Sequence, residues 1–111
     1  MSNYNVNVCN AIIEQLGGRG FRLMTGAKNF SYSVDELKNV SLYFKIGKNS
    51  AGINHVKVTY NYGRDDYSIV FSYVTIKGIT EKKSFNGVYC DQLKELFEDS
   101  TGMVLTMPKF N

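Results

Sequence analysis

Residues 55–76 read His-Val-Lys-Val-Thr-Tyr-Asn-Tyr-Gly-Arg-Asp-Asp-Tyr-Ser-Ile-Val-Phe-Ser-Tyr-Val-Thr-Ile, and this stretch decides the fold. Apolar and polar side chains alternate up to Tyr62, and β-branched or aromatic residues fill most positions from Tyr67 onward. Both patterns are typical of strands. The polar residues Gly63 to Asp66 lie between them and predict a hairpin loop that sets Tyr62 opposite Tyr67. In that register every apolar pair falls on one face, so the sequence predicts a half-buried antiparallel hairpin.

Another strand precedes the hairpin. From Val40 to Ile46 apolar residues again alternate with polar ones, which predicts a strand with one face in the core. The loop from Lys48 to Asn54 connects this strand to the hairpin. If the loop is symmetric, Lys45 lies opposite Lys57 on the polar face, where the two like charges repel each other.

Both ends of the chain show the longer period of helices. Residues 5–16 form an amphipathic pattern, and Gly17 follows where a left-handed residue often ends a helix. Residues 88–100 repeat the pattern, and Gly102 ends it. We therefore expect one α+β domain over residues 1–111. It has an N-terminal helix, an antiparallel meander sheet of three to five strands and a C-terminal helix, arranged in two layers.

The composition fits a single cytoplasmic domain. The chain has 111 residues, of which 43% are hydrophobic, and its net charge of +3 is too small to imply nucleic-acid binding by itself. No apolar run approaches the roughly 18 residues of a membrane span, and the N-terminus lacks the pattern of a secretory signal. Cys9 and Cys90 show no metal-binding spacing, so we expect two free, buried thiols and no cofactor or metal.

Side chains that could support catalysis are few. His55 is the only histidine, and no nucleophile motif lies beside it. Asp65 and Asp66 lie at the predicted hairpin tip, where aspartate forms turn hydrogen bonds and stays well solvated. Lys82 and Lys83 precede the second helix in a polar stretch that we interpret as a solvated loop. We therefore expect no enzymatic activity.

The stretch from Gln15 to Phe30 is rich in glycines and cations. The cations are Arg19, Arg22 and Lys28. A phosphate loop needs glycines that lead into a helix, whereas these glycines follow one. The alternative is structural: Gly17 caps the helix, and residues 20–25 and 28–33 form a further hairpin about Gly26.

The sheet face turned away from the helices holds the candidate binding residues. They are Tyr43, Lys45, His55, Lys57, Val70 and Val74. Basic and aromatic groups on an open sheet are the means by which many proteins hold single-stranded nucleic acid. Clustered apolar groups on such a face favour cover instead, by residues 21–30, by the tail from Met103 or by another protein. A plain solvated face rich in lysine explains the same pattern.

The glycine-rich stretch also carries a resemblance. Gln15-Leu-Gly-Gly18, Phe21 and Met24-Thr-Gly-Ala-Lys-Asn-Phe30 resemble a segment shared by small uncharacterised proteins of bacteriophages, prophages and other mobile elements. Counterparts continue to about Thr106; they are Ile53 to Val58, Asp66-Tyr67, Val88 to Leu93, Phe97 and Thr101-Gly102. The resemblance implies expression in the cytoplasm of an infected bacterium and, by analogy with other phage accessory proteins, a role in binding.

Two functions follow as expectations. The first is a non-enzymatic accessory protein whose uncovered sheet face binds a host protein, a phage protein or a second copy of the chain. The second is a nucleic-acid-binding protein. Its candidate residues are Arg19, Arg22, Lys28, Lys45 and Lys57. Contacts of lysine and arginine with phosphate release counterions, so the second function predicts affinity that falls with salt.

Overall fold

The computed structural model describes residues 3–105 and confirms the α+β fold. The helices are α1 (Asn3–Leu16), α2 (Gly18–Thr25) and α3 (Leu93–Thr101), and a 3₁₀ turn lies at Cys90–Gln92. The strands are β1 (Lys28–Val34), β2 (Val40–Lys45), β3 (His55–Asn61), β4 (Asp66–Thr75) and β5 (Gly78–Val88). They form one antiparallel meander in the order β1-β2-β3-β4-β5. Within residues 3–105 no helix has the length and apolarity needed to cross a membrane.

The helices cover one face of the sheet and bury the apolar residues of its central strands. Phe97 of α3 lies at the centre of this core. Its ring centroid is 5.7 Å from those of Phe21 and Phe71 and 6.3 Å from that of Phe44. All four rings are buried, and most of these contacts are edge-to-face, a favourable geometry for aromatic pairs. The core therefore joins α2 and α3 to strands β2 and β4.

The hairpin register differs from the predicted one by two residues. Tyr60, not Tyr62, lies opposite Tyr67, and the loop runs from Tyr62 to Asp65. Asp65 adopts the left-handed conformation (φ 53°), and its N–H donates a 2.8 Å hydrogen bond to the carbonyl of Asn61. This turn closes the loop one residue earlier than predicted. A shift of two residues keeps each side chain on its face, so the predicted faces are confirmed although the pairs are wrong.

The register between β2 and β3 is displaced in the same way. Lys45 lies opposite His55, and Lys57 lies opposite Tyr43, so the predicted pairing of the two lysines is wrong. The Asn49 side chain explains the difference. Its carboxamide forms hydrogen bonds with four backbone groups inside the connecting loop. These bonds hold the loop in the conformation that sets Lys45 opposite His55.

The glycine-rich stretch departs further from the prediction. Residues 20–25 belong to helix α2 and not to a hairpin arm, although the expected second arm does form strand β1. Gly17 and Gly18 have φ values of 120° and 60°, which turn the chain sharply at the end of α1. The buried Phe21 ring then holds α2 against the core, and Gly26 ends that helix in the left-handed conformation.

The polar stretch before the last helix is a strand. Lys82 and Lys83, interpreted from the sequence as part of a solvated loop, lie in β5, and helix α3 begins at Leu93 instead of Val88. Nearly every side chain of β5 is exposed because the strand lies at the edge of the sheet. An edge strand of this kind lacks the apolar alternation that identifies a half-buried one.

The two cysteines differ in environment. Both thiols are free. Cys9 is buried in α1 as expected, and burial raises the pKa of its thiol. Cys90 is exposed in the 3₁₀ turn, so the prediction that it is buried was wrong.

Candidate functional site

The sheet face opposite the helices, called the outer face below, is open in the part of the chain that the structure describes. Neither residues 21–30 nor the described part of the tail, Met103 to Leu105, covers it. Phe21 and Phe30 both contact Phe44, which belongs to the covered side. Met103 and Leu105 pack with the core, and residues 106–111 lie outside the described residues. Within residues 3–105 no segment therefore covers the outer face across β1 to β4.

Strand pairing brings three of the candidate residues into one row. Tyr43, Lys57 and Val70 lie directly opposite one another on β2, β3 and β4. The Lys57 ammonium is 5.6 Å from the centroid of the Tyr43 ring, within range of a cation–π interaction. The Tyr43 hydroxyl shares a 3.0 Å hydrogen bond with Ser33 of β1. Both contacts hold the aromatic ring in a defined place on the open face.

A second row beside the first carries the other cations. Lys28, Lys45 and His55 lie opposite one another on β1, β2 and β3, and the row continues to Ser72 on β4. Burial, and to a smaller extent the charge of Lys45, lowers the pKa of the imidazole. The histidine is therefore neutral at pH 7, and the positive charge of this row comes from its lysines.

A row of hydroxyl groups lies on the other side of Tyr43, and sequence reasoning missed it. Ser33, Ser41, Thr59 and Ser68 succeed one another across β1 to β4. Ser41 and Thr59 share a 2.8 Å hydrogen bond, and the Asn61 amide donates to Ser68 at 3.1 Å. Small hydroxyl residues at alternate positions of successive strands were the available signal. The hydroxyls bond to neighbouring side chains, which suits a structural role in the sheet.

The apolar end of the outer face lies on β4 and the turn that follows it. Val70 and Val74 are half-buried there, and Val74 pairs with Ile79 of β5. Ile79 is 73% exposed, and Ile76 in the turn is fully exposed. Exposed aliphatic groups that adjoin one another are unfavourable in water, which is why such patches mark contact surfaces.

The structure divides the cations proposed for nucleic-acid binding into two groups. Lys28, Lys45 and Lys57 lie on the outer face. Arg19 and Arg22 lie on α2, and the Arg22 guanidinium packs over the Phe30 ring at 5.0 Å, on the helix side of the sheet. The five residues therefore do not form one continuous basic surface.

Among residues 3–105 no three His, Cys, Asp or Glu side chains are grouped so that they could hold a metal ion. No model of a known protein family, no curated protein and no solved structure matches this chain.

Proposed function

We propose that this protein is a small non-enzymatic accessory protein of a phage or other mobile element, and that its outer face binds an acidic protein partner in the host cytoplasm. The observation that carries the proposal is the row of Tyr43, Lys57 and Val70 on an open sheet, with Lys28 and Lys45 beside it. The resemblance of residues 15–30 to phage proteins supports the setting.

The charge arrangement favours an acidic partner. Lys28 and Lys45 lie directly opposite each other, and Lys57 is on the next strand of the same face. Like charges placed across strands repel, so carboxylates of a partner would relieve a cost that the free protein carries. Carboxylates on the outer face, Asp66 and Glu81, lie on β4 and β5, away from Lys28 and Lys45.

The side-chain types also suit a protein interface. Such interfaces combine aromatic anchors and aliphatic groups at their centre with charged groups around them. Tyr43 and Val70 are adjacent to Lys57, and Val74 extends the apolar part along β4. A partner surface with an apolar centre and an acidic rim would match this arrangement of apolar groups and lysines.

Site-specific photocrosslinking tests the proposal. A photoreactive phenylalanine analogue at Tyr43 is expected to crosslink a protein in cells that express the mobile element. The same analogue at Leu23 of α2, which is 59% exposed on the helix side, is the control and is expected not to crosslink that protein. Lys45→Glu/Lys57→Glu should abolish the crosslink, whereas Arg19→Glu/Lys94→Glu, an equal change of charge, should not. Equal crosslinking from both positions, or none at Tyr43, would contradict the proposal.

Single-stranded nucleic acid is the second candidate ligand, and the placement of Tyr43 among Lys28, Lys45 and Lys57 favours it. An aromatic ring can stack on a base while lysines contact the phosphates. Fluorescence anisotropy with a labelled oligonucleotide at low and high salt measures this function. Binding that weakens with salt and is lost in Lys45→Glu/Lys57→Glu would favour nucleic acid, and no binding at low salt would exclude it.

A further inference from the structure

A pocket on the opposite side of the sheet has a different chemistry. Tyr60 and Tyr67 face each other there across β3 and β4, with ring centroids 5.3 Å apart. Helix α1 crosses above them and contributes Tyr4 together with Asn7, Val8 and Ala11. Asp65, from the hairpin loop, completes the wall of a pocket of about 320 Å³. Three phenol rings and one carboxylate therefore meet in one cavity.

We propose that this tyrosine pocket, formed by Tyr4, Tyr60, Tyr67 and Asp65, binds an alkylammonium group such as the ammonium end of a lysine side chain or its methylated form. Aromatic rings attract cations through the negative potential of their faces, and cages of such rings are a recurring means of recognising methylated ammonium groups. A carboxylate in the wall adds the opposite charge. The site is distinct from the outer face, and its function does not depend on the proposal made for that face.

The Asp65 carboxylate is held in position by the hairpin loop. The Tyr60 hydroxyl donates a 2.6 Å hydrogen bond to it, and this bond is the main cause that raises the pKa of Tyr60 to about 12. The phenol therefore stays neutral at physiological pH and keeps its hydrogen atom for this bond. The left-handed backbone of Asp65 and its hydrogen bond to Asn61 fix the same position from the main chain.

Lys38 and Arg64, two cations of the described residues at this end of the molecule, contact other groups. The Lys38 ammonium lies 5.5 Å from the ring centroid of Tyr62, and the Arg64 guanidinium lies 3.5 Å from the carboxylate of Asp66. Neither residue lines the pocket. The Tyr62 ring packs edge-on against Tyr4, with centroids 6.1 Å apart, and so adjoins the pocket. The contact of Lys38 with Tyr62 is therefore an example, at this end of the molecule, of an ammonium group held on a tyrosine ring.

NMR titration of the tyrosine ring resonances tests this proposal with a matched pair of small molecules. Choline carries a trimethylammonium group, and 3,3-dimethyl-1-butanol has the same shape without the charge. Choline is expected to shift the ring signals of Tyr60 and Tyr67 in a saturable manner, whereas the neutral alcohol leaves them unchanged. Equal shifts with both molecules would mean that the pocket only accepts apolar groups, and no saturable shift with any cation would also overturn the proposal.

Two variants locate the site. Asp65→Asn keeps a residue that tolerates the left-handed conformation but removes the charge, and it is expected to weaken choline binding by about fivefold or more. Tyr60→Leu removes a ring and should weaken binding to a similar extent. Tyr73→Leu, which removes an exposed ring elsewhere on β4, is the control and should bind normally. Backbone spectra show whether each variant is folded, and unchanged affinity in both pocket variants would refute the assignment.

The source of the ammonium group is resolved by two further titrations. Peptides with a central lysine or trimethyl-lysine are compared with choline at the same concentrations. Tighter binding of a peptide than of choline would identify a partner's lysine as the ligand, and equal or weaker binding would identify a free alkylammonium compound. Both results support the pocket, while failure of choline and both peptides would contradict it.

Discussion

Lys45 lies directly opposite His55 on neighbouring strands, and its charge adds to burial in lowering the pKa of the imidazole. The unfolded chain takes up this proton near the ordinary pKa of about 6.5, whereas the folded protein takes it up only at lower pH. The unfolded state therefore gains protons first as the pH falls. The contribution of His55 to the free energy of unfolding is fully present above the unfolded pKa. It declines as the pH drops below that value and stops changing once the folded imidazole is protonated.

Replacement of His55 is expected to reduce this pH dependence. In His55→Gln the free energy of unfolding should fall less between pH 8 and pH 5 than in the wild type, because the titrating group is gone. Urea denaturation at both pH values measures the difference. Lys45→Gln is the matched control, which should retain a pH dependence but a weaker one. Identical slopes for wild type and His55→Gln would show that the imidazole does not contribute.

Phe97 is expected to be a dominant residue for stability because its ring contacts those of Phe21, Phe44 and Phe71. Phe97→Ala should lower the free energy of unfolding by about 3–5 kcal/mol, as large-to-small substitutions in cores do. Leu23→Ala on the exposed side of α2 should change it by less than about 0.5 kcal/mol. Chemical denaturation of the two variants provides the test, and similar losses would contradict a core centred on Phe97.

Gly102 should not tolerate a side chain. It ends α3 with a φ of 74°, and a Cβ atom there would lie 2.9 Å from the Ser50 hydroxyl oxygen. We expect Gly102→Ala to cost about 1–2 kcal/mol through the left-handed backbone and this contact together.

Two companion variants separate the causes. Ser50→Gly combined with Gly102→Ala should recover only the part due to the contact. Gly63→Ala, where a Cβ atom would meet open space, should be nearly neutral. Thermal unfolding of the set gives the comparison, and a full recovery in the double variant would rule out backbone strain.

The two thiols should react at very different rates. Cys90 is exposed, whereas Cys9 is buried and has a raised pKa. The thiolate is the reactive form, so both burial and the higher pKa slow the reaction of Cys9. Ellman's reagent at pH 8 should modify one thiol quickly and the second only after denaturation. Cys90→Ser should remove the fast phase, and Cys9→Ser should retain it. The reverse result would contradict the burial of the Cys9 thiol.

Sequence pattern could predict the faces of the central strands but not their register. Alternation repeats every two residues, so shifts of two, such as the one that pairs Tyr60 instead of Tyr62 with Tyr67, leave the pattern unchanged. The register depends on the side-chain hydrogen bonds of Asn49 and on the main-chain bond of Asp65, and the alternation of apolar and polar residues carries no information about either. The outer-face residues were thus placed on the correct face, but the residues opposite them on the neighbouring strands were predicted incorrectly.

Other parts of the molecule left little signal in the sequence. Helix α2 begins with glycines, and its position depends on Phe21 reaching a core that is assembled from distant segments. Strand β5 buries few side chains, so it shows no apolar period. The tyrosine pocket unites Tyr4 with Tyr60 and Tyr67 only because α1 crosses the sheet at that place, which no local pattern encodes.

Strand β5 has one further property that follows from its position. Among the described strands it lies at the edge, so the backbone groups on its side away from β4 have no partner strand there, and its exposed side chains give it few apolar contacts with the interior. Segments with these features open locally at a much smaller cost than the global unfolding of the domain. Helix α3 is anchored in the core through Leu93 and Phe97. The amide protons of β5 are therefore expected to exchange with solvent well before those of β3, so that the last strand of the meander opens while the rest of the sheet stays closed.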